Sequence, residues 1–266
     1  MEYNIKTEQK NISDKLNDLT SKIQIINQDS IKEAIKQAKL EVNKWQKVDN
    51  IVCVFSDLQK STQISFDKQK KTVAKILESL IVPMQKIHES FGSEFIDIKG
   101  DGGIILYSGE NASTRAFLAS VTCNTFFKKH ICILENTYDI EFNVFSGIHQ
   151  GSLLLKRVGS RTDNFPVWAG ETVNMSALIT KELKDMSTLT RNSSYIGVTQ
   201  EIYSELSKTK YSDYLIKSCG CHGGHKNNLW KVQHIQNGKA KKYHYMNTNW
   251  CDTHGQEYLN KVLQCL

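Results

Sequence analysis

The sequence predicts an α+β fold of the ferredoxin-like, palm-like kind, one antiparallel sheet backed by helices, and three observations carry that expectation. Ile96-Asp97-Ile98 and Gly103-Ile104-Ile105-Leu106-Tyr107 are short apolar runs joined by Lys99-Gly100-Asp101-Gly102, which reads as a β-hairpin because glycine supplies positive φ without steric cost. Ile51-Val52-Cys53-Val54-Phe55-Ser56 reads as a buried strand, and residues 140–148 alternate as another. The stretches between them have helical apolar spacing, so the order is strand, helix, hairpin, helix, strand. Such a layout serves many functions and by itself decides little about chemistry.

Residues 1–47 form a polar N-terminal segment with two helical patterns. Ile12, Leu16, Leu19, Ile23 and Ile26 recur in steps of four and three, and Ile31, Ile35, Ala38, Val42 and Trp45 repeat the pattern. Asn27-Gln28-Asp29-Ser30 separates them, and Ser30 with Glu33 fits a capping box. The pair reads as helices packed on the main domain, with a dimer contact or a sensor segment as alternatives. The main domain is expected over residues 48–235. Its first helix, near 68–91, places Val73, Ile76, Leu77, Leu80, Met84, Ile87 and Phe91 on one face, and Pro83 is expected to kink it. A second helix is expected at about 111–134, where Ala116, Ala119 and Cys123 permit close approach to a sheet.

Leu153-Leu154-Leu155 is expected to begin the partner of the 140–148 strand. Arg157 to Asn164 reads as an exposed loop, and Phe165-Pro166-Val167-Trp168-Ala169-Gly170 leads into a helix through Glu171-Thr172-Val173-Asn174. Tyr195 to Thr199 reads as a strand and Glu201 to Leu206 as a short helix. Two closing strands are expected around Tyr214 to Lys217 and Leu229 to His234. Between them, Cys219-Gly220-Cys221-His222-Gly223-Gly224-His225 offers thiols and imidazoles for Zn²⁺ together with Cys251 or His254, but it lacks the two-residue spacing of zinc knuckles and reads as a glycine-rich hairpin turn. Residues 236–266 are expected to be a C-terminal extension, basic and then weakly helical from Thr253 to Leu263.

A chain of 266 residues allows one large domain, or one with an appendage, and buries an ample core. Its formal charge of +6 and pI near 8.8 suit an anionic ligand and equally suit solubility. Lys and Glu are scattered, so no nucleic-acid partner is expected. Seven cysteines, several inside apolar runs (Cys53, Cys123, Cys132), point to reduced thiols and a cytoplasmic chain. No secretory signal pattern opens the sequence, and no apolar run approaches the roughly 18–20 residues that span a bilayer, so no membrane association is expected.

Chemistry is suggested by Asp57 at the end of the 51–56 strand and Asp101 at the hairpin tip. If the two strands are neighbours, the carboxylates converge at one sheet edge, with only Lys60 and Lys99 nearby in sequence to offset them. Convergent carboxylates favour a divalent cation, and Mg²⁺ is usually held by one or two carboxylates together with substrate phosphates. A nucleoside triphosphate site follows as a physical hypothesis, against the alternative that Asp101 merely shapes its turn.

The residues that carry a resemblance are Val54-Phe55-Ser56-Asp57-Leu58-Gln59-Lys60-Ser61-Thr62, Lys99-Gly100-Asp101-Gly102, Ser146-Gly147-Ile148-His149-Gln150-Gly151 and Trp168-Ala169-Gly170-Glu171-Thr172-Val173-Asn174-Met175-Ser176-Ala177. Four pieces in this order resemble the class III nucleotidyl cyclases, over roughly residues 48–235. The resemblance implies that fold, and two Mg²⁺ or Mn²⁺ ions per site held by Asp57, Asp101 and the Leu58 carbonyl, on the order of 4 Å apart. It also implies phosphate contacts from Gln59, Lys60, Ser61 and Thr62, and a homodimer in which Asn174 of one subunit positions the ribose at the carboxylates of the other. An alternative for Asn174 is a helix-entry residue bonded to backbone. The family's transition-state arginine, four positions after the asparagine, is Leu178 here, so Arg161, Lys181 or Lys226 would supply that charge.

Base selection departs from the family too. Adenylate enzymes carry a lysine, and guanylate enzymes a glutamate, where this chain has Asp97. With the Pro-Val-Trp-Ala-Gly lead-in, the chain looks more like the pyrimidine cyclases of bacterial anti-phage (Pycsar) signalling. Phe55 or Trp168 would narrow the pocket to a one-ring base, though each is also read as plain core. The implied reaction turns UTP or CTP into its 3′,5′-cyclic monophosphate and pyrophosphate, as a messenger for a downstream cyclic-nucleotide-binding effector. A purine cyclase and a catalytically inactive nucleotide-binding module are the competing expectations.

Overall fold

A run of β-branched and apolar residues at 51–55 is what a strand covered on both faces demands, and Ile51, Val52, Cys53 and Val54 are fully buried. The computed structural model describes residues 6–7, 9–10, 13–14, 23–41, 44–59, 66–139, 143–159, 164–187, 195–221, 225–235 and 241–266. In chain order the elements are β1 (Ile25–Asn27), α1 (Ile31–Leu40), β2 (Trp45–Leu58), α2 (Lys70–Ser90), β3 (Phe95–Lys99), β4 (Gly102–Tyr107), α3 (Ala112–Tyr138), β5 (Val144–Gly159), β6 (Asn164–Ala169), α4 (Glu171–Ser187), β7 (Ile196–Thr199), α5 (Gln200–Lys208), α6 (Ser212–Ile216), β8 (Lys231–His234), β9 (Lys242–Met246) and α7 (Gly255–Leu263). The chain divides into two units, Met1–Val48 with Leu154–Ala169, and Asp49–Leu153 with Gly170–Leu266.

In the larger unit the sheet order is β3-β4-β2-β5-β7-β9-β8. β4 is antiparallel to both β3 and β2, and β9 to both β7 and β8, while β5 and β7 run parallel. β2-α2-β3-β4-α3-β5 is the expected ferredoxin-like core, with both helices where the periodicity places them and α2 continuing through Pro83. On one face, Ile76, Leu80 and Met84 of α2 meet Phe127, Ile131 and Leu134 of α3 over Leu58 and Val144. Each such side chain contributes about 1.5–3 kcal/mol by leaving water.

On the other face lies α4, whose Met175, Ile179 and Leu183 pack with Phe145 and Tyr243. Glycine permits this. A Cβ on Gly147 would stand 2.1 Å from the Ser176 carbonyl oxygen, and one on Gly197 would stand 2.4 Å from Ile179 Cγ2. Gly147→Ala is therefore expected to destabilise by at least about 1–3 kcal/mol, since the obstruction is backbone and cannot rotate away. An unchanged thermal unfolding midpoint would mean that α4 does not lie this close to the sheet.

The smaller unit pairs β1 in parallel with Trp45–Lys47, and β6 antiparallel with Leu154–Gly159. α1 has the forward half of the expected capping box, Ser30 Oγ accepting the Glu33 N–H at 3.2 Å, while Glu33 Oε1 accepts from Gln37 Nε2 at 2.7 Å. The first helical pattern is corrected at its end. Ile26 stands on β1, where the Gln28 N–H donates to the Lys47 carbonyl at 2.8 Å and Gln28 Nε2 to Gln46 Oε1 at 2.7 Å. Ile12, Leu16, Leu19 and Val42 lie outside the described residues, and Trp45 opens β2 instead of closing a helix.

Three further expectations change. Leu153-Leu154-Leu155 continues β5 instead of starting its partner, and that partner is β6. Tyr214 lies in the short helix α6, not in a strand. β9 lies within the segment expected to be an extension, and pairs with β7 on one side and β8 on the other. Its signal is the alternation of Tyr243 and Tyr245 with His244 and Met246, hidden by the flanking lysines. Among the described residues no helix is long and apolar enough to cross a membrane.

Candidate active site

Asp57 stands next to last on β2, and Asp101 in the turn between β3 and β4. Pairing of Asp57 with Gly102 brings the carboxylates to the same end of the sheet. Gly102 is glycine for a reason: an added Cβ would lie 3.0 Å from the Ser56 carbonyl oxygen and 3.1 Å from Asp57 Oδ1. Asp57, Leu58 and Asp101 line one small cleft backed by Leu80, Met84 and Phe127. Burial pushes the Asp57 carboxyl above the ordinary aspartate range; Lys184 holds it down, and the Asp101 charge adds to the rise.

Lys184 is the residue that sequence reasoning missed. Its ammonium donates to Asp57 Oδ2 and, at 3.0 Å, to the Leu58 carbonyl. Two of the oxygen groups that the resemblance assigns to a metal therefore already grip a cation, so the donor set fits one. The placement follows from a repeat of four. Thr172, Ser176, Thr180 and Lys184 form one stripe of α4, its first three members buried. Ser176 Oγ donates to the Cys53 carbonyl at 3.2 Å and Thr180 Oγ1 to the Phe55 carbonyl at 2.9 Å. Four helical residues rise about 6 Å and two strand residues about 6.6 Å, so helix and strand stay in step until the stripe ends at Asp57.

Pairing across β3, β4 and β2 sets two rows on one face of the sheet. Asp97, Ile104 and Phe55 form one row, and Lys99, Gly102 and Asp57 form the next, nearer the turn. Lys99 belongs with the carboxylates, as its spacing predicts, and its Nζ lies 3.4 Å from Asp97 Oδ2. An acid and a half-buried phenyl ring thus occupy the row behind the carboxylate end.

The other candidates divide. Asn174 is exposed on α4, ten residues before Lys184 and hence about 15 Å away along the helix axis. Lys181 is exposed and off the stripe, and the lysine that reaches Asp57 of the same chain is three residues later. Leu178 packs against the cluster around Met175 and Ile179, so the position of the family's arginine is apolar in its surroundings as well as in its side chain. Gln59 is corrected. Its backbone N–H donates to the Asn143 carbonyl at 2.9 Å and its Oε1 accepts from Asn143 Nδ2 at 3.3 Å, so it ties β2 to the residue preceding β5 and its backbone N–H is already engaged. Lys60, Ser61, Thr62 and Arg161 lie outside the described residues. Trp168 is half-buried on β6 opposite Leu155, in the smaller unit. Lys226 is exposed within electrostatic reach of Asp213 and does not line the carboxylate cleft.

Residues 43–231 match the family model of the adenylate and guanylate cyclase catalytic domain. The chain belongs to this class III nucleotidyl cyclase family. It is 31% identical over 239 residues to a uridylate cyclase of Micromonospora echinofusca, covering 86% of this chain and 74% of that relative. To a uridylate cyclase of Propioniciclava tarda it is 30% identical over 227 residues, covering 82% and 70%. Solved cyclases share the fold. The adenylyl cyclase CyaB from P. aeruginosa superposes with a TM-score of 0.56 over 79% of this chain and 98% of its own, at 16% identity. The guanylyl cyclase Cya2 gives 0.55 over 77% and 92%, also at 16% identity.

Proposed function

We propose that this cyclase converts UTP, in preference to CTP, into the 3′,5′-cyclic monophosphate and pyrophosphate, as a cytoplasmic messenger in antiviral defence read by a cyclic-nucleotide-binding effector. The observation that carries the reading is the cleft lined by Asp57, Leu58 and Asp101, where Asp57 and the Leu58 carbonyl hold the Lys184 ammonium, with Asp97 and Phe55 in the row behind it. The pyrimidine assignment is supported by the two relatives named uridylate cyclase and by the absence of a lysine at position 97. A carboxylate accepts hydrogen bonds, which suits the N3–H of uracil.

Asp57, Asp101 and the Leu58 carbonyl would hold Mg²⁺ or Mn²⁺, two per site. When bound, such ions neutralise the triphosphate and make the ribose 3′-hydroxyl easier to deprotonate. The 3′-oxygen forms a bond to the α-phosphorus in line with the departing pyrophosphate, so the protein's task is positioning and charge complementarity. Phe55 and Asp97 orient the base, and Lys184, once released from Asp57, keeps its ammonium at the phosphates. Asn174 stands too far along α4 to serve the carboxylates of its own chain. It serves those of a second copy, which makes a homodimer with two sites the functional unit.

The test is incubation of the pure protein with each of the four ribonucleoside triphosphates and Mn²⁺, with products separated by mass. Cyclic UMP should dominate. Cyclic AMP as the main product would overturn the pyrimidine reading, and triphosphate binding without pyrophosphate release would select an inactive module, which Leu178 in place of arginine favours.

A further inference from the structure

Outside the carboxylate cleft, the described residues hold one group of side chains with the makings of a metal centre. Cys219, Cys221, Cys251 and His254 offer three sulfurs and one imidazole nitrogen, all within 4.8 Å of one another. Neighbouring separations are 3.0 Å between the sulfurs of Cys219 and Cys221, 3.4 Å between those of Cys221 and Cys251, and 3.9 Å from Cys251 Sγ to His254 Nδ1. None of these cysteines is disulfide-bonded. With Zn–S of about 2.3 Å and Zn–N of about 2.0–2.1 Å, the edge of a tetrahedral site is roughly 3.5–3.8 Å, inside the observed spread.

The ligand pairs come from two places. Cys219 and Cys221 sit in a loop closed by the Lys217–Asn228 bridge and by the Ser218 N–H donating to the Asn227 carbonyl at 2.8 Å, with Gly220 turning the chain at φ +79°. Cys251 and His254 stand at the entrance to α7, where the Cys251 carbonyl accepts from the Gly255 N–H at 2.8 Å. Cys251-Asp252-Thr253-His254 supplies the two-residue spacing that the 219–225 turn lacks. The glycine-rich turn is therefore half of a split motif, C-x-C followed by C-x-x-H, whose parts lie thirty residues apart.

We propose that Cys219, Cys221, Cys251 and His254 bind one Zn²⁺ ion that fastens the 217–228 loop to the start of α7. Four protein ligands close the coordination shell, so the site is structural. Thiolates and imidazole select Zn²⁺, whereas the carboxylate cleft offers only oxygen and selects Mg²⁺ or Mn²⁺, so the two centres do not compete. The need for a fastener is physical. α7 has nine residues, too few to hold a helix in water unaided, and it docks through Val262 and through Tyr258 against Tyr214 at 4.7 Å. A cross-link between segments this far apart in sequence removes loop-closure entropy from the unfolded chain.

The test uses the full chain purified without a histidine tag or chelator. Elemental analysis should find about one zinc per chain. In the Cys219→Ser/Cys251→Ser variant it should fall at least about tenfold, while Cys132→Ser/Cys265→Ser, at exposed cysteines outside the cluster, keeps its zinc. Against poor folding of the first variant, the wild-type protein is stripped with chelator and titrated with Co²⁺. A sulfur-to-cobalt charge-transfer band saturating at about one equivalent is the expected result. Zinc content indifferent to the cluster substitutions, or a Co²⁺ titration without that band, would overturn the proposal.

Discussion

Asp57→Asn and Asp101→Asn are each expected to lower cyclase turnover by at least about 10³-fold while leaving the chain folded. The ground for so large a loss is that charge stabilisation at the transferring phosphoryl group contributes several kcal/mol in a positioned site, and in the proposed mechanism each carboxylate is a principal charge there. The ground for retained folding is that Asn keeps the shape beside Gly102, where Asp57 Oδ1 would stand 3.1 Å from any added Cβ. Asp57→Asn leaves the Lys184 ammonium with the Leu58 carbonyl at 3.0 Å, and both members of the lost pair are about a quarter exposed. Screening limits that loss to about 1 kcal/mol. A companion variant separates the two lysines of α4. Lys184→Met removes the neighbour that holds the Asp57 carboxyl down in the free enzyme, so the acid limb of the pH profile of kcat/KM should move to higher pH. Lys181→Met, exposed and off the stripe, should leave that limb in place. Asp57→Asn with wild-type turnover, at unchanged melting, would remove the carboxylates from the mechanism.

The carboxylate pair was legible because both members are fixed by local signals: a strand too apolar to be anything but buried ends at Asp57, and a glycine-flanked turn presents Asp101. Lys184 was not, because its role depends on which face of α4 meets β2. That face is chosen by Gly147 and Gly197 on the sheet together with the hydroxyls of Thr172, Ser176 and Thr180 on the helix. The four-residue repeat was in the sequence, but one that ends in lysine reads like any solvated stripe until the strand beneath it is known. β9 escaped for a related reason: its alternation is flanked by charge, and only pairing with β7 and β8 makes a strand of it. The sequence offers the zinc ligands as candidates, the 219–225 turn with Cys251 or His254, but its spacing favours a plain hairpin turn. Proximity of Cys251 to Cys221 is created by the docking of α7, which no local spacing encodes.

His88 provides a second large effect, this time on stability. It occupies the buried face of α2, one turn beyond Met84, and its Nδ1 shares a 2.6 Å hydrogen bond with the Tyr107 hydroxyl of β4. Nε2 is buried with no hydrogen-bond partner among the described residues. A second proton on this ring would place a charge in the core, with the Arg115 guanidinium already 5.7 Å over the Tyr107 ring. Burial accordingly lowers the His88 pKa from 6.5 to about 3. Above pH 6.5 the imidazole is neutral in both folded and unfolded chains, and its titration does not alter stability. As pH falls below 6.5 the unfolded chain takes up a proton that the folded chain refuses, so stability declines until about pH 3, where the folded ring titrates as well. At about 1.4 kcal/mol per unit, the full shift is on the order of 4–5 kcal/mol, a large fraction of what holds a domain of this size. His88→Asn offers its amide to Tyr107 but cannot titrate. It should therefore be somewhat less stable at pH 7, from the smaller side chain, yet lose much less stability than wild type between pH 6.5 and 4. The measurement is denaturant unfolding across that interval in the same buffers for both proteins. Parallel curves would place the acid sensitivity in the carboxylates alone and show that His88 is not the neutral, buried imidazole described.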